Sequence, residues 1–373
     1  MILKNVCFYN EIFEKEIADL RIENGKITEI GIIDEDGRDM SGFTALPGFV
    51  DIHIHGANGG DFSDASKDSL DKISSYLAKN GVTSFCGTSM TLDNATLTAI
   101  VKCGREYQGR EIGAKLAGIH LEGPYISYKK KGAQNGDFVR EGNIEEFNQL
   151  FAASGDTVKL ITVAPEAFDS DEFIKKVSGK CAVSVGHTNA NAAETQRAVD
   201  MGARHATHLY NAMTPMTHRE AGATGILLDN EKVTCELICD GGHICPAVLR
   251  NTFKILGESR ACVISDSMRG AGLGAGEYEL GGQRVFVEEN GKYAVLEDGT
   301  LAASITNVFA EFKNLLSFGI DFNTALKACT INPARAIGMD TEIGSIATGK
   351  AADMVFVDDE MNIKEVYING ILA

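Results

Sequence analysis

Eight apolar runs set the rhythm of this 373-residue chain, near residues 46–55, 82–89, 115–122, 158–164, 181–187, 205–210, 234–240 and 262–267. Helix-like segments separate most of them. Ala65 to Asn80 carries Leu70, Ile73 and Leu77 on one face and stops at Gly81; Asn189 to Met201 is Ala-rich and stops at Gly202; Pro246 to Leu256 stops at Gly257. A polar residue before the first turn and a glycine after the last are the usual punctuation of helices. Eight strands alternating with helices over roughly 290 residues match a (β/α)8 barrel in length and order, an α/β fold of the TIM-like kind. A doubly wound sheet is the competing architecture. It brings the ends of the first, third, fifth, sixth and eighth strands to one point less readily.

The two ends of the chain read differently. Leu20 to Ile30 alternates around Asn24-Gly25, and Val366 to Leu372 does so around Asn369-Gly370, both hairpin signals. Ala352 to Val357 reads as one more strand. Neither end has enough strands to stand alone, so the ends are expected to pair into one small β-domain, residues 1–46 plus 342–373. The barrel then spans 47–341. Gly270 to Gly282 is Gly-rich, and alternating residues follow it (Arg284-Val-Phe-Val-Glu, Lys292-Tyr-Ala-Val-Leu). That pattern predicts a hairpin insert near 270–297 after the eighth strand, placed to cover a site.

The net charge of −17 argues against nucleic acid as a partner, because phosphate backbones need basic surface. A small anionic substrate then needs a local cationic pocket. No run of about 18 apolar residues exists, so no membrane span is expected. Met1-Ile-Leu-Lys-Asn lacks the shape of a signal peptide. Nine scattered cysteines without a Cys-x-x-Cys pair read as reduced thiols in a cytoplasmic protein.

The first apolar run ends in Asp51-Ile-His53-Ile-His55. Side chains alternate along a strand, so Asp51, His53 and His55 are expected on one face. Two imidazoles one strand-step apart can chelate a metal such as zinc. Glu122, His187, His208 and Asp266 follow, each at the end of a later apolar run. All six fall where barrels keep their active sites. One His-x-His arises without a metal often enough; six ligand-type residues at strand ends do not arise so easily by chance. Metal-assisted hydrolysis needs a cation to acidify water and polarise a carbonyl, plus a base near that water. Asp266 is the candidate base. Glu122 sits midway in the set and can bridge two metals. His120 reads as a supporting or packed residue, His205 as packed in its strand and His218 as solvated. Asn211-Ala212, Arg219 and His243 form a second cluster suited to an anion, arginine being the usual bidentate partner of phosphate.

These motifs have a family resemblance. His120-Leu-Glu-Gly-Pro, Gly186-His-Thr-Asn-Ala, Ala206-Thr-His-Leu-Tyr-Asn-Ala-Met, Asp240-Gly-Gly-His and Asp266-Ser-Met together resemble the N-acetylglucosamine-6-phosphate deacetylases of the amidohydrolase superfamily. The order holds through Asn332-Pro-Ala and Gly349-Lys-Ala-Ala-Asp. The resemblance implies a distorted (β/α)8 barrel with a small β-sandwich built from both chain ends. It implies hydrolysis of N-acetyl-D-glucosamine 6-phosphate to D-glucosamine 6-phosphate and acetate. By the same resemblance Glu122, His187 and His208 hold the main metal, and Asp266 is the catalytic acid and base. Ala133, Asn211, Ala212, Arg219, His243 and Leu301-Ala302-Ala303 contact substrate. In relatives the arginine at position 219 can reach into the neighbouring subunit's site, so a homodimer is expected.

Two departures from some members go together. His53 and His55 are present where those members lack the pair and hold one metal. Gln134 stands where they carry a substrate-facing histidine. A second metal would then polarise the acetyl carbonyl in place of that histidine. Ala303 stands where relatives often carry glycine. One or two divalent ions per chain are expected, with zinc, iron, manganese and cobalt all suited to such ligands. The alternatives are an N-acetylgalactosamine-6-phosphate deacetylase, a cyclic-amide hydrolase, and a non-catalytic barrel used as a scaffold. The anion cluster disfavours cyclic amides, and the complete ligand set disfavours a scaffold.

Overall fold

The computed structural model describes residues 1–289 and 291–373. The eight apolar runs become β1 (Phe49–Ile54), β2 (Val82–Ser89), β3 (Lys115–Glu122), β4 (Val158–Val163), β5 (Ala182–Val185), β6 (His205–Ala206), β7 (Thr234–Leu237) and β8 (Ala261–Val263). Each pairs with the next in chain order, and every pair is parallel. A doubly wound sheet reverses its strand order partway; this one never does. The segment after β8 closes the ring without a strand ladder. Asp266 N–H donates to the His53 carbonyl and His55 N–H donates to the Ser267 carbonyl, both at 2.9 Å. The last strand is thereby tied to the stretch that carries two histidines.

Helices cover the outer wall. Lys67–Lys79 starts where Ser66 accepts from Ser69 N–H, and it buries Leu70, Ile73 and Leu77. Ala192–Met201 starts with a reciprocal cap between Asn191 and Glu194, so it begins later than the composition suggests. Pro246–Leu256 runs as expected from a proline in its first turn. Phe49 from β1 packs edge-on against Phe309 and Phe312, with ring centroids 5.2 and 5.5 Å away. A separate buried cluster joins Val50, Ile52, Cys86, Leu160, Ile238 and Ile264 to Ala334, Ile337 and Ile343. Among the described residues no helix is long and apolar enough to cross a membrane.

Along β1 the expected alternation breaks. Asp51 pairs with Phe85 and Ile54 with Gly87, so three steps on β1 oppose two on β2. Such a bulge turns side chains out of register. Asp51 goes to Ser265, whose Oγ donates to Oδ2 at 2.6 Å. His53 faces Glu122 and Glu236 instead. The expectation that Asp51 shares a face with His53 and His55 is therefore corrected, the extra residue being the reason.

The two chain ends interlock in one eight-stranded sheet. Met354–Val357 pairs antiparallel with Thr44–Pro47, which lies beside Ile2–Tyr9. Both Asn-Gly hairpins are present: Asn24 and Gly25 take φ of 52° and 78°, Asn369 and Gly370 of 49° and 70°. Two positive φ values in succession favour this residue pair. The sheet has its own core around Leu3, Phe8, Leu20, Met354 and Phe356. After β8, Gly276–Leu280, Gln283–Val287, Tyr293–Val295 and Leu301–Ser304 form a four-stranded antiparallel sheet. It packs on Met90, Ala133 and Met268, beside the strand ends. Asn290, inside the expected insert, lies outside the described residues.

Because Phe49 is fully buried and wedged between two phenylalanines, Phe49→Ala is expected to cost about 3–5 kcal/mol of stability, read from denaturant unfolding.

Candidate active site

Each of the six candidate ligands stands at or just past the end of a strand. His53 and His55 end β1, Glu122 is the last residue of β3, and His187, His208 and Asp266 follow β5, β6 and β8. The last three are in the left-handed region, with φ of 44°, 26° and 47°. That conformation costs a non-glycine residue on the order of 1–3 kcal/mol and persists only where surroundings enforce it. Here it swings three side chains back over the barrel mouth.

They converge tightly. Glu122 Oε1 lies 3.0 Å from Nε2 of His187 and 3.0 Å from Nε2 of His208, and those two nitrogens are 3.0 Å apart. The other oxygen, Oε2, is 3.3 Å from His55 Nε2, and Asp266 Oδ1 is 3.3 Å from that nitrogen and 3.5 Å from His53 Nε2. Glu122 therefore spans two ligand groups: itself with His187 and His208, and His53 with His55 and Asp266.

Hydrogen bonds behind the rings fix which nitrogen is bare. His187 Nδ1–H donates to the Lys130 carbonyl at 2.8 Å, and His55 Nδ1–H to the Thr88 carbonyl at 3.2 Å. His53 Nδ1–H donates to Glu236 Oε2 at 2.9 Å. A neutral imidazole holding its proton on Nδ1 presents a lone pair at Nε2. Three such lone pairs face carboxylate oxygens, and among the described residues His53 Nε2 has no hydrogen-bond partner. This arrangement requires positive charge at its centre. The electrostatics agree. Burial resists charge on His55, yet Asp266 and Glu122 raise it to about 10. Burial likewise opposes charge on Glu122, but His53 and His187 hold it well below the usual carboxylate range. His120 goes the other way, to about 3, through burial and then His53. Ligands about 2.0–2.1 Å from one tetrahedral zinc stand roughly 3.3–3.4 Å apart, close to the edges observed here. The donor set therefore fits a divalent cation.

Beside these groups lies a cavity of about 340 Å³. His55, Glu122, His187, His208 and Asp266 form its floor, while His53 is buried behind them. Of the residues expected to meet substrate, Ala133, Gln134, Asn211, Ala212, His243, Leu301 and Ala302 line it. Ala303 is fully buried, outside the lining. Arg219 is exposed and stands outside this cavity. Gln134 is engaged at both ends: its Nε2 donates to Glu122 Oε2 at 2.5 Å, and its Oε1 accepts from Thr91 N–H at 2.6 Å. His243 Nδ1–H donates to Asp240 Oδ2 at 2.7 Å, which leaves Nε2 for the cavity. His120 is spent on Thr162 at 2.8 Å, His205 is buried against Glu236 at 3.1 Å, and His218 is exposed, as their sequence contexts suggest.

Sequence reasoning missed Glu236 and the cavity residues Met90, Lys129, Lys130, Gly132 and Thr300. A lone acid inside the apolar run Val233 to Cys239 was a signal for Glu236, and the run Lys129-Lys130-Lys131 was one for the two lysines among the lining residues.

Comparison with known proteins agrees with this geometry. The amidohydrolase family model matches residues 44–372. An N-acetylglucosamine-6-phosphate deacetylase from Bacillus subtilis (strain 168) is 38% identical over 334 residues, covering 88% of this chain and 84% of the relative. An N-acetylgalactosamine-6-phosphate deacetylase from Escherichia coli O157:H7 is 33% identical, covering 95% of this chain and 94% of its own. A solved N-acetyl-D-glucosamine-6-phosphate deacetylase from Mycobacterium smegmatis, an aspartate-to-alanine mutant in complex with N-acetyl-D-glucosamine 6-phosphate, superposes with a TM-score of 0.92. It covers 100% of this chain and 98% of its own, at 29% identity.

A cation that fills the centre must stabilise the fold by mass action. A free concentration 100 times its dissociation constant is expected to add about 2.7 kcal/mol to unfolding. Glu122→Gln should abolish that gain, as denaturant titrations with and without cation would read.

Proposed function

The chain belongs to the amidohydrolase family, and from that premise we propose that it hydrolyses N-acetyl-D-glucosamine 6-phosphate to D-glucosamine 6-phosphate and acetate in amino-sugar catabolism. One observation carries the reading. Glu122, His187 and His208 meet within 3.0 Å of one another at the floor of a cavity that Asp266 and His243 also line.

Glu122, His187 and His208 would hold the main divalent cation, and His53 and His55 a second beside Asp266. Bound there, the cation supplies Lewis acidity for the acetyl carbonyl and lowers the pKa of water. Zinc suits the His and carboxylate donors, as do iron, manganese and cobalt. Asp266 is the group that moves the proton. Its Oδ1 takes a proton from the attacking water and then delivers it to the departing amine nitrogen. The loop carrying Asp266 is clamped for that task, its N–H bonded to the His53 carbonyl at 2.9 Å and its carbonyl accepting from Ser304 N–H at 2.8 Å. Gln134 steadies Glu122 rather than standing free.

His243, oriented by Asp240, would bind the phosphate, with Lys129 and Lys130, which also line the cavity, adding positive charge nearby. Arg219 would complete this from the neighbouring subunit of a homodimer, since it stands outside the cavity of its own chain. Leu301 and Ala302 bring the insert against the substrate, where they exclude water. Remote binding at the phosphate orients the amide for attack. All nine cysteines are free, which suits the cytoplasm.

Asp266→Asn is expected to bind substrate normally and to lose on the order of 10²–10⁴ in kcat; retained turnover would move the base elsewhere. An acetate-release assay over the gluco and galacto 6-phosphates separates the two sugar readings. No release from either would leave only a binding protein.

A further inference from the structure

Glu236, at the third position of β7, is fully buried and does not line the cavity. Three N–H groups nevertheless end on its carboxylate. Oε2 accepts from His53 Nδ1–H at 2.9 Å and from the backbone N–H of His208 at 3.0 Å. Oε1 accepts from His205 Nε2–H at 3.1 Å. We propose that Glu236 is the positioning residue of the cation centre: one of its oxygens holds His53 in the tautomer that bares Nε2 and pins the left-handed turn that presents His208. The inference rests on reading the cluster as a cation centre.

The geometry favours this over two simpler roles. Glu236 could itself be a ligand, since His53, His120 and Glu236 stand close enough together for an ion. But three donors already occupy its oxygens, and His120 Nε2 is bonded to Thr162 Oγ1 at 2.8 Å. It could be a plain core ion pair with His205. That pair uses only Oε1, however, and the other oxygen goes to one residue from each ligand group. Histidine ligands are oriented by the acceptor behind them, and loss of that acceptor typically weakens a metal site about 10–100-fold. Here one oxygen serves both groups, so its removal acts on the whole centre. His208 feels it through the backbone, because its φ of 26° has to be enforced.

The test is zinc binding to the full-length metal-free protein by equilibrium dialysis, with kcat and KM measured across zinc concentrations. Glu236→Ala is expected to bind zinc on the order of 10–100-fold more weakly, with kcat returning as zinc is raised and KM little changed. Glu236→Asp keeps the charge but withdraws its reach, and is expected to share the defect even if the alanine variant folds poorly. Glu236→Gln should recover most of the affinity. Its amide oxygen can still accept from His53 and His208, while His205 passes its proton to Nδ1 and donates to Thr234 Oγ1, now at 2.5 Å. Parent-like zinc affinity in the alanine and aspartate variants overturns the inference. So does a kcat that zinc does not restore. If the parent binds no divalent cation, the cation reading itself fails, and this inference with it.

Discussion

Glu122 gathers the electrostatics of this molecule into one carboxylate. The group is 2% exposed, and burying a charge costs several kcal/mol unless it is well paired. Its partners are imidazoles whose protons are drawn off on the far side, to carbonyls of Lys130 and Thr88. Oxygen and nitrogen lone pairs therefore point at one another across 3.0–3.3 Å. Such a cluster holds together only with positive charge between its members. Protons can supply some of it; a divalent cation would supply it by accepting several of the lone pairs at once. The arrangement that makes the buried acid tolerable is thus also the arrangement that makes chemistry available.

The barrel delivers this because its strands end together, but strand ends alone do not aim the side chains. Three left-handed residues complete the aim, and each is held by its own bonds. Ser127 N–H donates to the His187 carbonyl at 2.9 Å, Asn211 N–H to the His208 carbonyl at 3.0 Å, and Ser304 N–H to the Asp266 carbonyl at 2.8 Å. Neighbouring loops and the insert supply these donors. Backbone strain at the site is therefore maintained by hydrogen bonds from residues outside the six candidate ligands.

The sequence made the barrel legible because strands buried on both faces read as apolar runs, and their order in the sheet is their order in the chain. The Asn-Gly turns were legible for the local reason that both positions need positive φ. The six ligand candidates were legible because their residue types are rare at the ends of apolar runs. What the pattern hid is equally physical. The bulge in β1 turns the Asp51 carboxylate to Ser265 rather than to the ligand groups, and no alternation rule anticipates an extra residue. Glu236 hid as one polar letter in a strand otherwise apolar. Gln134 was seen, but its hydrogen bonds to Glu122 and Thr91 come from a loop whose path periodicity does not describe. Arg219 sits on an exposed stretch outside the cavity, so this chain's own packing gives it no place in the site.

An acidic exterior and an anionic substrate look mismatched at first. The chain carries −17 overall, which repels a sugar phosphate at long range. At physiological salt, though, exposed charges are screened beyond about 8 Å, so the exterior acts only weakly on a molecule already at the mouth. Lys129, Lys130 and His243 are among the residues that line the same cavity as the ligand groups, and a charge is felt more strongly there than in bulk water. Binding selectivity is then decided within a few ångströms of the cation centre. In the proposed reaction, a phosphate remote from the reacting amide would lose its hydration against such groups, and the net favourable contact would go into orienting the amide.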